Sequence, residues 1–234
     1  MAIARFRFHG GLGAFLKKEY RERPFVHACA RAATLKNAIE SLGVPHTEAG
    51  AVTVNGAPAT LQRAVREGDE IEIYERAKEM GTNPIFLADA HLGGLARFLR
   101  MLGFDTLHDN NYTDVGIRRL AEAERRIVLS RDRELLKCRE IERGCYVRAL
   151  KAEAQLREVA SRYGLAARAR PFTLCLRCNL PLQTVDKAQV SAIVPPQVLE
   201  RQSLFSRCAG CARVYWPGSH YARMRAALGE LLGG

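Results

Sequence analysis

The residues best suited to do chemistry lie at 85–132, where three short apolar runs each lead into an acid. IFLA ends on Asp89, TLH ends on Asp109, and IVLS is followed two residues later by Asp132. Asp114, just ahead of another helical pattern, could add a fourth. Carboxylates brought close repel each other unless a cation lies between them. Hard oxygen donors suit Mg²⁺ or Mn²⁺, which keep water and substrate phosphate in their shell. Such an ion generates hydroxide and stabilises charge on phosphorus. One Asp after a strand would be an ordinary loop residue or helix cap. Three at corresponding ends predict metal-dependent phosphodiester hydrolysis, with Asp89, Asp114, Asp132 and Asp109 as candidate catalytic residues.

A second constellation is built from sulfur. Cys175 and Cys178 form one CxxC pair, and Cys208 and Cys211 form another, with 29 residues between them. Two such knuckles predict a tetrahedral Cys₄ zinc site, which leaves no open coordination position and therefore serves folding. The turn signal Pro195-Pro196 lies in the insert. Cys29, Cys138 and Cys145 are isolated and fit small buried hydrophobes. Around the second knuckle, Arg207, Arg213, Tyr215, Trp216, His220, Tyr221, Arg223 and Arg225 mix cations with aromatics. That mixture can bind phosphates and stack bases.

Behind these residues stand the elements that must position them. Helical patterns separate the three acid-ended runs, giving β-α-β-α-β and a parallel sheet. In such sheets ligands bind beyond the carboxyl ends of the strands. The first helix, 91–102, places Leu92, Leu95, Ala96, Leu99 and Leu102 on one side. Arg97 and Arg100 share another face, where they could reach substrate phosphate. Arg131 and Arg133 flank Asp132 and join Arg97, Arg100, Arg213 and Trp216 as candidate residues for binding substrate phosphates and bases. A helix is expected over RELLKCREIE, then a strand at 146–150 ending without an acid, then a helix over AEAQLREVASRYG.

Ahead of this region the order is ββαββ: strands at 2–8 and 24–30, a helix capped by Thr34 and stopped by Gly43, and strands at 51–56 and 69–75. Asn55-Gly56 and Gly68-Asp69 read as turns. Gly10, Gly11 and Gly13 read as a hairpin loop, without a phosphate-binding pattern. The stretch 78–84, with Gly81 and Pro84, is the expected linker.

Composition is ordinary for a globular chain of 234 residues, at 47% hydrophobic and 26% charged. The net charge is +11, of which +2 lies in residues 1–83, +5 in 84–170 and +4 in 171–234. Basic surface around an acidic metal site suits a polyanionic substrate such as nucleic acid. No apolar run reaches the ~20 residues of a membrane span, and the first residues lack the apolar core of a signal peptide. Those readings predict a cytoplasmic protein, away from membranes.

The segments FLADAHLGGLARFLRMLGFDTLHDN, IVLSRDRELL, RCNLPL and FSRCAGCARVYWPGSHYARM, in that order, resemble the Mut-seven C-terminal RNase domain family, a branch of the PIN-like nucleases. VPHTE, VTVNG and GDEIEIY resemble ubiquitin-like sulfur carriers and the ubiquitin-like domain fused to that family. The carriers act through a free Gly-Gly tail directly after the last strand. Here that strand runs on into RAKEMGTNP, and Gly233-Gly234 belongs to the far end.

The resemblance implies an α/β chain in three parts: a β-grasp domain at 1–77, a PIN-like α/β/α nuclease domain at 84–168, and a zinc ribbon at 170–225. It implies RNase activity, with the family's acids at Asp89, Asp114, Asp132 and Asp109 and its arginines at Arg97 and Arg100. Two departures stand out. PIN nucleases draw another acid from the fourth-strand region, where this chain offers Lys151, and His91 and Gly94 stand where Met and Arg are expected. RNA is the expected partner, with a protein partner for the β-grasp domain. The alternatives are a non-catalytic RNA-binding protein and a β-grasp-based interaction scaffold.

Overall fold

The computed structural model describes residues 1–77, 83–219, 221, 222, 225, 226 and 229. Residues 78–82 of the expected linker, His220, Arg223 and the terminal Gly233-Gly234 lie outside the described residues. In chain order the first elements are β1 (Ala2–Phe8), β2 (Phe25–Cys29), α1 (Leu35–Ser41), β3 (Ala49–Val54), β4 (Ala57–Ala59) and β5 (Glu70–Glu75). Next come β6 (Phe86–Ala88), α2 (Gly93–Met101), β7 (Thr106–Leu107), α3 (Asp114–Glu124), β8 (Ile127–Ser130), α4 (Arg133–Leu136), β9 (Gly144–Tyr146) and α5 (Ala152–Tyr163). The last are β10 (Leu182–Val185), α6 (Lys187–Val190), α7 (Pro196–Arg201), β11 (Phe205–Cys208) and β12 (Val214–Tyr215). These pack as two compact units, Met1–Lys78 with Asp114–Tyr146, and Glu79–Thr113 with Val147–Gly234. No helix among the described residues is long and apolar enough to cross a membrane.

The first unit contains a five-stranded sheet in the order β2-β1-β5-β3-β4, parallel only at its β1–β5 centre. This is the expected β-grasp. Alternation in AIARFRF buries Ala4, Phe6 and Phe8 and leaves Arg5 and Arg7 outside. Thr34 accepts the Asn37 amide at the start of α1, whose Leu35, Ala38 and Ile39 enter the core. Gly43 ends the helix at φ 98°, a conformation that favours glycine.

One local expectation changes, and one strand is added. The glycine cluster is not an open hairpin loop: Gly10–Phe15 winds into a 3₁₀ turn that buries Leu12 and Phe15. The Glu75 carboxylate fixes that turn by accepting the Gly11 amide at 2.8 Å. The Asn55-Gly56 turn leads into β4, a three-residue edge strand containing Pro58, too short and Pro-broken to read from sequence.

Asp69 ties these turns together. It is 3% exposed and accepts both Nη1 (2.6 Å) and Nη2 (3.0 Å) of Arg63, the Arg66 amide (2.8 Å) and Asn55 Nδ2 (3.3 Å). The Arg63 hydrogen bonds, opposed by burial, hold its carboxyl below the ordinary carboxylate range. Asp69→Ala leaves a partly buried cation unpaired and should cost about 3–5 kcal/mol in denaturant unfolding near neutral pH. Because the folded-state pKa is depressed, this stabilisation is full above the ordinary carboxylate range. It is lost as acid carries the pH down through the lowered value. The gap between wild type and variant should therefore narrow in acid.

In the same unit β8 and β9 pair in parallel, and all four residues of β8 are buried, as a strand covered on both faces requires. The fourth strand lies earlier than expected, at 144–146 rather than 146–150, and Leu150 is 76% exposed. Gly144 allows this register: a Cβ there would meet Leu136 Cδ2 at 2.8 Å and Thr47 Cγ2 at 3.1 Å. The helix expected over 133–142 shortens to the four residues of α4.

The second unit holds the parallel β6–β7 pair, α2, α5 and the cysteine ribbon. Leu92, Leu95, Ala96, Leu99 and Leu102 are all buried, as the helical spacing predicts. Gly94 has a packing reason, since a Cβ there would lie 2.8 Å from the Ala152 Cβ at the head of α5. A long side chain at this position would separate the two helices. The ribbon is the antiparallel sheet β10-β11-β12. Pro195-Pro196 does not make a turn; Pro196 opens α7 at its first position, where a missing N–H costs nothing.

Candidate functional site

The four candidate acids fall in two units: Asp89 and Asp109 in the second, Asp114 and Asp132 in the first. Asp89 follows β6 directly, is 7% exposed, and accepts the His91 amide at 2.9 Å as the cap of a 3₁₀ turn. Asp132 lies two residues past β8, exposed, and its Oδ1 accepts the amides of Glu134 (2.7 Å) and Leu135 (3.3 Å) at the start of α4. Asp109 lies two residues past β7, exposed, with Oδ1 on the Asn111 amide at 2.8 Å. Asp114 is the exposed first residue of α3. Capping explains an Asp at 89 and 132, and a turn closed on the Asn111 amide explains one at 109; at Asp109 and Asp132 these bonds use only Oδ1. Their Oδ2 atoms have no partner among the described residues.

The region after β9 carries an acid that the sequence reading missed. Glu158 of α5 accepts the amides of Arg148 (3.0 Å to each oxygen) and Ala149 (2.9 Å). Both its oxygens are thereby engaged in closing the loop. His91 is exposed, and His108 Nε2 lies 3.2 Å from the Ala90 carbonyl.

Two candidate RNA-binding arginines are committed elsewhere. Arg100 is only 6% exposed; its Nε donates to the Thr106 carbonyl at 2.9 Å, and its Nη1 to the carbonyls of Leu176 (3.1 Å) and Arg177 (2.9 Å). Arg100 therefore ties the first cysteine knuckle to β7 and does not reach solvent. Arg133 turns toward the β-grasp domain, its guanidinium 5.0 Å from the Phe15 ring centre and 5.4 Å from that of Tyr146. Its Nη1 donates to the Phe15 carbonyl at 3.2 Å. Replacing Arg133 with Gln should cost about 1–2 kcal/mol of stability through the lost cation–π contact and leave RNA affinity unchanged. Thermal melting beside an RNA titration checks both halves.

Arg97 and Arg213 are exposed, Arg131 is half-buried, and Trp216 is half-buried against the Val190–Val194–Phe205 cluster of the ribbon. Arg177, between the two cysteines of CLRC, was missed as a candidate. It too is exposed, and its signal was its place inside a knuckle.

The cysteines come together. The Sγ atoms of Cys175, Cys178, Cys208 and Cys211 all lie within 4.8 Å of one another, the one such group of metal-ligating side chains among the described residues. All seven cysteines are free thiols. Burial pushes the Cys175 thiol up, but hydrogen bonds from the Tyr215 hydroxyl (3.2 Å) and the Cys178 amide (3.4 Å) outweigh it and bring it to about 6. The Cys178 thiol is pushed up to about 12, first by its hydrogen bond with Cys211, then by burial and the Cys175 charge. Four thiols packed this closely cannot all ionise unless a cation sits among them. The donor set suits a tetrahedral soft-ligand ion such as zinc, and the Tyr215 hydroxyl is placed to support one ligand from outside.

Comparison with known families gives two matches. The model described as Mut7-C RNAse domain matches residues 84–228, and the one described as Mut7-C ubiquitin matches residues 1–80. No curated protein and no solved structure matches the chain.

Proposed function

The chain belongs to the Mut7-C RNAse domain family, with that family's ubiquitin-like domain ahead of it, and from this we propose that it is a metal-dependent ribonuclease. The family match over 84–228 is the observation that carries the reading. The acids add chemical sense. Asp89 and Asp132 stand at or just past the ends of parallel strands, and Asp132 and Asp109 each have one oxygen without a partner among the described residues.

In this proposal Asp89, Asp114 and Asp132 hold Mg²⁺ or Mn²⁺, with Asp109 beside them. A bound divalent ion supplies an activated water and offsets charge on the phosphoryl group. The chain's own part is to orient those carboxylates through strand ends and caps. Arg97, Arg131 and Arg213 hold the RNA backbone, where a guanidinium matches phosphate geometry. Zinc at the four cysteines fixes the ribbon. Seven cysteines outside any disulfide, four of them for zinc, suit a reducing compartment, and the cytoplasm is the proposed place of action. The β-grasp domain is proposed to bind a protein partner.

The test is a cleavage assay on RNA and DNA oligonucleotides with Mg²⁺, Mn²⁺ or neither. RNA should be cut only with the divalent ion present. A chain that binds RNA but never cuts it would favour the non-catalytic reading, to which the missing fourth-strand acid already leans.

A further inference from the structure

Three arginines from three parts of the second unit line one recess. Arg97 comes from α2, Arg177 from the first cysteine knuckle, and Arg213 from just past the second. The recess measures about 670 Å³, and its lining among the described residues holds no carboxylate, the Cys211 thiol being its one acidic group. Each of the three side chains is exposed, and none has an ion-pair partner among the described residues. Like charges gathered without carboxylates repel one another, which costs stability unless an anion joins them. Tyr215 and Trp216 complete the lining with ring surface, and Ile193, 56% exposed, adds an apolar edge. Trp216 is also held from behind by the ribbon core, so its position is set before any ligand arrives.

We propose that this recess is a subsite for single-stranded RNA, in which Arg97, Arg177 and Arg213 take successive phosphates and Trp216 stacks a base. The proposal rests on the ribonuclease reading and names where its substrate is gripped outside the carboxylates. Guanidinium forks bind phosphate in two-point fashion, and an aromatic face accepts any base. Single strands fit better than duplexes because only an unpaired base can leave its neighbours to stack on Trp216.

Trp216 is the chain's one tryptophan, so its fluorescence reports on this recess directly. Titration of the full chain with a short oligouridylate, in buffer free of divalent ions, should quench that fluorescence to saturation. Arg97→Gln, Arg177→Gln and Arg213→Gln should each weaken binding about tenfold, the loss of one charge-assisted hydrogen bond. Each should also flatten the slope of log affinity against log salt by about 0.7, the share of one single-strand phosphate. Zinc content should stay as in wild type, and the melting temperature should hold or rise slightly, because each substitution removes one of the repelling charges. A blunt RNA duplex should not quench Trp216, and inorganic phosphate should compete only weakly, having no base to stack.

Salt slopes unchanged in all three variants would overturn the proposal, as would equal quenching by duplex. Loss of zinc in the arginine variants would also overturn it, since the guanidiniums would then be balancing thiolate charge. The two readings fail separately. Saturable quenching in a chain that cuts no RNA leaves the subsite standing without the nuclease. Cleavage without quenching or slope change does the reverse.

Discussion

Asp132→Asn and Asp89→Asn should each lower RNA cleavage roughly a thousandfold, a loss of about 4 kcal/mol of transition-state stabilisation, with melting temperature and zinc content unchanged. The fold should survive because each residue's local role survives. Asn Oδ1 can still accept the Glu134 and Leu135 amides from position 132, or the His91 amide from position 89, and Asn caps helices about as well as Asp. What Asn cannot supply is negative charge for a hard cation. The substitution thus separates capping from metal binding, the two explanations for an acid after a strand. Asp186→Asn is the control, since Asp186 forms the capping box of α6 in the ribbon insert and has no assigned part in chemistry. It should cut RNA at the wild-type rate. Full activity in both Asp89→Asn and Asp132→Asn would end the assignment of these acids. Inactivity with a lowered melting temperature would mean that they serve only as caps.

The same contrast explains what was legible beforehand. Strands, caps and knuckles are local: AIARFRF alternates whatever it packs against, Thr34 caps the turn that follows it, and a CxxC pair folds within four residues. Where a long side chain ends is not local. Arg100 and Arg97 are three residues apart on one helix, yet one is buried under the carbonyls of Leu176 and Arg177 and the other is exposed. The sequence around residue 100 contains nothing of a knuckle 76 residues downstream. Arg133 is a like case, drawn to Phe15 across 118 residues. The β9 register turned on Gly144, whose missing Cβ matters only because Thr47 and Leu136 press on it. The acids were easy to find and their surroundings were not. Even so, the third arginine of the recess, Arg177, sat in plain view inside CLRC.

Cys208→Ser should have the largest structural effect of any single change in the chain. The ribbon's own buried apolar cluster consists of Val190, Val194 and Phe205, with Val185, Val198, Leu199, Val214 and Trp216 half-covered around it. A core this small cannot offset the entropy of ordering some fifty residues, and natural modules of this size lean on a metal or disulfides. Structural zinc in such modules contributes roughly 10–16 kcal/mol at neutral pH, and that binding energy is folding energy. Cys208 is 1% exposed and stands at the end of β11, so a serine there leaves a hard, buried oxygen in place of a thiolate. The variant should lose its zinc, lose amide protection across 174–216, and be cut by protease within that span. Residues 1–77, whose core is separate and built from eighteen buried side chains, should keep theirs. Because Arg177, Arg213 and Trp216 are placed by the ribbon, quenching by oligouridylate should vanish with the metal. A chelator strong enough to strip zinc from wild type should reproduce every one of these losses, and re-addition of zinc should restore them in wild type alone. Retained protection across 174–216 in a zinc-free chain would show that the four thiols hold the ribbon by packing, and the metal would have no structural part to play.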